Sequence, residues 1–204
     1  MPYQASQHKE IKDILKKALV APRDETGWLL DSKLQSKLWE VIFQVGKEKI
    51  IELKDDVARF LSDPCSEIRE VAVKALGWPS KLALSDFREK KAYDMLCHDP
   101  DNDVKYVALV AWATHYFNTQ NPEILTKLYR ILISHQAAIR LRAGALVELL
   151  HVGDPFYDRL ETYRITIAEQ LHMKTSHEAF NEAVDWYRVK DIMERFAPEV
   201  LRES

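Results

Sequence analysis

The sequence predicts an all-α fold of stacked helical hairpins, on three observations. The motif Asp63-Pro64, Ile68-Arg69, Ala72, Ala75-Leu76-Gly77 returns 36 residues on as Asp99-Pro100, Val104-Lys105, Ala108, Ala111-Trp112. A third copy, Ser134-His135, Ile139-Arg140, Ala143, Leu146-Val147, follows at nearly the same interval. A period of this size marks helical units too small to bury their apolar faces alone, which therefore stack on their neighbours. Second, Ile68, Val71, Ala72 and Ala75, like Val104, Val107, Ala108 and Ala111, recur at spacings of three and four, one apolar stripe per helix. Third, the 204 residues include only five glycines and eight prolines, and alternating apolar runs are nearly absent, which disfavours sheet.

Each element follows from local signals. Ile11, Ile14, Leu15 and Leu19 (or Ala18) give a helix over 6–19, closed by the Pro22 to Gly27 loop. Leu34, Leu38, Val41, Ile42 and Val45 give a second over 31–45, with Asp31 or Ser32 as cap and Trp39 beside the stripe. After Gly46, the residues Ile50, Leu53, Val57, Phe60 and Leu61 predict a helix over 47–62, whose interleaved charges read as a solvated face. A helix over 65–77 stops at Gly77-Trp78-Pro79. Further helices are expected over 85–98, 101–117, 122–134 and 136–151, with Asp99-Pro100, Thr119 to Pro122 and Gly153 to Pro155 as turns. A terminal pair over 155–173 and 177–196 has a polar outer face, as the end of a stack requires. In each repeat an Asp or Ser ahead of the helix is placed to cap it, and proline suits the first turn, where no amide donor is needed.

These repeat residues resemble the HEAT repeat family, particularly its short bacterial HEAT-like form, over roughly 57–151. The second copy departs by Lys105 for the arginine and Trp112 for the leucine; the third has lost Asp-Pro. The resemblance implies a single domain, a right-handed α-α superhelix of about four to five HEAT-like hairpins, with the small residues Ala72, Ala108 and Ala143 where neighbouring helices approach closely. A fold of this kind carries many functions, so function has to come from a site.

Composition narrows the classes. A formal charge of −3 gives no general drive toward nucleic acid or an anionic membrane. No apolar run approaches the roughly 18 residues of a membrane span, and the N-terminus lacks the apolar core of a secretory signal, so a cytoplasmic location is expected. Cys65 and Cys97 do not make a disulfide framework. The seven histidines contain no His-x-x-x-His, the cysteines no Cys-x-x-Cys, and neither a Gly-rich phosphate loop nor a Gly-x-Ser-x-Gly turn occurs. No catalytic, cofactor or metal residues are therefore assigned; His172 and His177, five apart, read as a chance pair.

The reading that remains is a non-enzymatic module holding a protein partner on its curved helical surface, one version being a bacterial adaptor or immunity protein. Candidate contacts are the aromatic residues Tyr106, Tyr116 and Tyr187, since large amphipathic rings make good anchors, and Arg142 with His151, which with Glu148 are expected to project from one face. Arg69, Lys105 and Arg140 share one repeat position and read as a structural ladder with Asp63 and Asp99. The HEAT resemblance also implies two alternatives. Some HEAT-like proteins are alkylpurine DNA glycosylases, which use a carboxylate and aromatic residues in a basic groove; Asp185-Trp186 or Trp112 would be the candidates, but no basic stripe is present. Others are phycobilin lyases, and here no convincing reactive cysteine site is found.

Overall fold

The computed structural model describes residues 2–154, 174 and 176–203. Among these residues the chain is all-helical, with eleven α-helices and no strand; Arg23 and Leu29 form one isolated antiparallel bridge. It divides into two compact units, Met1–Ala111 and Trp112–Ser204.

The first unit begins with α1 (Pro2–Val20) and α2 (Ser32–Lys47). Asp31 starts α2 as expected, its carboxylate accepting from the Lys33 and Leu34 amides. The helix does not stop at Gly46. Its end is a Schellman turn, in which Lys49 N–H donates to Gly46 O and Ile50 N–H to Val45 O. Lys49 takes φ 55°, the left-handed conformation that glycine usually supplies.

The helix expected over 47–62 is broken into a 3₁₀ turn Ile51–Leu53, a short α3 (Lys54–Ala58) and a second 3₁₀ turn Arg59–Ser62. The Schellman turn consumes the residues that would have begun it, while Leu53, Val57 and Phe60 still reach the core. Then come α4 (Ser66–Gly77), a π-turn Phe87–Lys91 running into α5 (Ala92–His98), and α6 (Asn102–Ala113). Within this unit α2 packs on both α1 and α4, and α3 on α4.

Two close approaches repeat along it. A Cβ on Gly46 would lie 2.7 Å from Ala75 Cα, and one on Gly77 would lie 2.7 Å from Ala111 Cβ and Phe87 Cε1. Ala75 and Ala111 are the same repeat position, so each receives a glycine from an earlier helix. Ala72, Ala108 and Ala143 are fully buried, but the tightest seam runs one turn further along, at Ala75 and Ala111. The third copy places Leu146 there, too large for such an approach.

The Asp-Pro motif holds the repeats together in a way its capping role did not predict. Asp63 and Asp99 do not cap α4 and α6 directly; each carboxylate accepts from the amide two residues on, Cys65 at 3.0 Å and Asp101 at 2.9 Å. Each also receives a two-pronged arginine from earlier in the chain. Arg23 donates to both oxygens of Asp63 at 3.0 and 2.6 Å, and Arg69 to both oxygens of Asp99 at 2.9 and 2.8 Å. Arg69 further donates to the Asp63 and Pro64 carbonyls. The cap of α6 is Asp101, whose carboxylate accepts from Asp103 and Val104.

The second unit continues from the 3₁₀ turn Thr114–Tyr116 into α7 (Pro122–Ile133) and α8 (Ile139–Gly153). Asn121 caps α7, with Pro122 in its first turn. The chain ends with α9 (His177–Ala183), capped by Ser176, α10 (Trp186–Phe196), capped by Asp185, and α11 (Pro198–Glu203). The helix expected over 177–196 is therefore two helices divided at Val184. The expected helix 155–173 lies outside the described residues. In this unit α7 pairs with α8, and α10 packs on both.

Candidate functional site

In the second unit the polar residues of α8 face inward. From Leu141 to Gly153 every residue is buried, so α8 is enclosed on all sides. Arg142 and His151, expected to project, are 1% and 3% exposed. The physical reason is legible in Ile139 to Gly153 itself: apolar residues occupy every side of the helix, the pattern of a buried element rather than of an amphipathic one.

Arg142 is held by neutral groups. Its Nε donates to Leu132 O and its Nη2 to Asn181 Oδ1, both at 2.6 Å, and its Nη1 lies 2.8 Å from His177 Nδ1. The Phe180 ring lies 4.3 Å beneath the guanidinium. No carboxylate pairs with it among the described residues, and burial lowers its pKa from the ordinary arginine value. A guanidinium has no acceptor, so in that contact His177 Nδ1 presents its lone pair. His151 Nδ1 lies 3.1 Å from Glu148 Oε2, and its ring is tilted against Phe117. These groups join α8 to the chain around it.

Of the other expected contacts, Tyr116 is half-buried, with its ring edge-on to Trp112 and to His115. Tyr187 stands on α10 with 85% of its surface exposed. Tyr106 belongs to the first unit and is half-buried on α6. His172 lies outside the described residues. Cys65 is buried at the start of α4, with the Gln35 amide 3.7 Å from its sulfur, and Cys97 is exposed.

The exposed aromatic surface that sequence reasoning missed lies on α2 and α4 of the first unit. Trp39 and Phe43, one turn apart, stack with ring centroids 5.3 Å apart and planes within 8°. Trp39 remains 42% exposed. Lys81 reaches over the Phe43 ring, its Nζ 3.9 Å from the centroid. Lys81 N–H also donates to Trp78 O, so the turn after α4 carries the lysine to α2. The Trp78 indole donates to Val107 O, Lys74 lies 5.4 Å from the Trp78 ring, and Lys74 is paired with Glu70.

One connected face results, running Trp39, Phe43, Lys81, Trp78, Lys74, Glu70. Tyr106 lies half-buried on α6 of the same unit. The signal available in the sequence was the pair Trp39 and Phe43 at a spacing of four, flanking the apolar stripe of α2. Elsewhere on the first unit, a groove of about 260 Å³ between α1 and α2 is lined by Glu10, Ile14, Lys37 and Gln44, with no stacked aromatic pair.

Compared with protein-family models, curated proteins and solved structures, the chain matches none. Among the described residues no helix is long and apolar enough to cross a membrane, and no group of three or more His, Cys, Asp or Glu side chains could hold a metal ion.

Proposed function

We propose that the chain is a protein-binding module, and that the face formed by Trp39, Phe43, Trp78 and Lys81 is where its partner docks. The observation that carries this reading is the Trp39 and Phe43 stack, rigid within its helix yet with the indole 42% open to solvent. Rigid aromatic side chains lose little freedom on binding and supply large contact areas, which is why tryptophan and tyrosine dominate binding hot spots. Tyr106, half-buried on α6, and Tyr187, exposed on the second unit, are not assigned to this face. Arg142 and His151 serve this function by holding α8, not by touching the partner.

The recurrence of the Arg23–Asp63 and Arg69–Asp99 pairs, with the recurring seams at Ala75 and Ala111, supports HEAT-like hairpins in the first unit and a superhelical stacking of them. A cytoplasmic adaptor or immunity protein is the biological role we infer for such a module. A photo-crosslinker placed at Trp39 should yield an adduct with one protein that a crosslinker at Glu199, exposed on the second unit, does not. The same adducts from both positions, or none from position 39, would overturn the docking face.

A further inference from the structure

We infer that the segment docking on the α2 and α4 face is acidic, a carboxylate-bearing stretch of a protein partner with an apolar side chain for the Trp39 and Phe43 stack; this rests on the docking face proposed above. Over the whole chain acidic residues outnumber basic ones, 32 to 29. The face departs from that balance.

Along α2 the residues at successive turns are Ser32, Ser36, Trp39, Phe43 and Lys47, with no acid among them. On α4 the one acid of the face, Glu70, is neutralised by Lys74. Glu40, which follows Trp39 and lies three residues before Phe43, is paired with Lys37 at 3.1 Å. Lys47 and Lys81 are left without a carboxylate, so both charges that remain uncompensated around the aromatic pair are positive.

Each lysine also has a local use. Lys47 stands in the last turn of α2, where a cation complements the helix dipole, and the Lys81 stem covers Phe43. Neither use takes up the ammonium's hydrogen-bonding capacity. A lysine ammonium carries three donors, and Lys81 carries them to the Phe43 ring, on which Trp39 is stacked. A partner carboxylate seated there would meet a cation already immobilised by the ring beneath it. A basic segment would set like charges together at the same place, a cost that interfaces use to reject wrong partners. The face thus selects an acidic-apolar sequence and disfavours a basic one, although the chain as a whole is acidic.

The test is selection of a displayed library of short random peptides on the full-length chain. Recovered peptides are then measured against W39A and against a K47Q/K81M double variant, whose methionine retains the apolar cover over Phe43. Unchanged helicity and unfolding midpoint establish that both variants are folded. The inference expects recovered peptides rich in Asp and Glu beside Leu, Phe or Trp. They should bind W39A and K47Q/K81M each about tenfold or more weakly, and should weaken as salt rises. Peptides that lose affinity for W39A, carry no acidic excess and bind K47Q/K81M as tightly as the parent would overturn the acidic partner while leaving the docking face standing. Peptides that bind W39A as tightly as the parent would overturn both.

Discussion

Two buried arginines, one in each unit, solve the same problem in opposite ways. Arg69 is 8% exposed and forms a two-pronged pair with the equally buried Asp99, besides donating to two backbone carbonyls. Its hydrogen bond to Asp99 is the main reason its pKa is raised. Arg142 is buried still more deeply, but its partners are a carbonyl, an amide oxygen, an imidazole and a ring face, and burial lowers its pKa. Removing Arg69 strands a buried carboxylate. Removing Arg142 strands only neutral acceptors. The sign of the pKa change therefore separates an arginine whose loss leaves a charge behind from one whose loss does not.

That comparison sets an order of effects. Arg69→Met should be the most damaging, costing about 3–5 kcal/mol, since breaking a buried pair leaves Asp99 uncompensated. Adding Asp99→Asn removes the stranded charge while keeping an acceptor for the Asp101 amide, and should recover part of the loss. Urea denaturation of the single and double variants measures both.

Next comes Arg23→Gln, at about 1.5–3 kcal/mol, because Asp63 loses a charged donor but still feels the charge of Arg69. This variant carries a pH signature. Burial raises the Asp63 carboxyl above its ordinary value, opposed by the Cys65 amide and by Arg23. For an acid whose folded pKa is raised, ionisation destabilises, so the cost sets in as pH rises past the ordinary carboxylate value, is complete above the folded value, and is absent where the group is protonated in both states. Without Arg23 that cost grows, so the deficit of R23Q against the parent should be larger at pH 7 than at about pH 4. A deficit equal at both would remove Arg23 as the counterweight.

Arg142→Met should cost about 1–3 kcal/mol, the desolvation left by unsatisfied neutral acceptors. Equal losses for R69M and R142M would break the comparison. Gly77→Ala falls in a similar range of about 1–3 kcal/mol through overpacking, since the new methyl would press on Ala111 and on the Phe87 ring. The smallest effect has the opposite sign. Lys49→Gly should stabilise by about 0.5–1 kcal/mol, because glycine adopts the left-handed end of α2 without a Cβ penalty.

The legible part of the fold was what repeats. Three-and-four spacing located α1, α2, α4, α6 and α7 to within a few residues, because their apolar stripes face one side. Reading failed where a tertiary or turn interaction displaced a local rule. The segment 47–62 kept its apolar residues but lost its continuity to a turn centred on Lys49, a residue whose side chain gives no hint of a left-handed backbone. Asp63 and Asp99 looked like caps, whereas Arg69 was correctly read as a ladder partner of Asp99. That Arg23, in a loop outside the repeat, completes the Asp63 pair depends on a contact 40 residues apart with no sequence pattern.

The candidate site was legible only in part. Tyr106 and Tyr187 were named from ring chemistry, and no contact joins either to the Trp39 and Phe43 stack. Trp39 was noticed but read by its position beside the apolar stripe, while Lys81, in a turn after Trp78, could be joined to Phe43 only in three dimensions. Arg142 and His151 misled because charge was weighted above the uniform apolarity of α8.

We propose that buried charges hold each unit together internally and that the stacked aromatic face does the binding. The most direct measurement is quantitative affinity capture from nuclease-treated native lysate with the parent chain, W39A and Y187A, each matched for helicity and unfolding midpoint. The account predicts one stoichiometric protein that is retained by the parent and by Y187A and is depleted about tenfold by W39A. The same proteins recovered in the same amounts by W39A would contradict it.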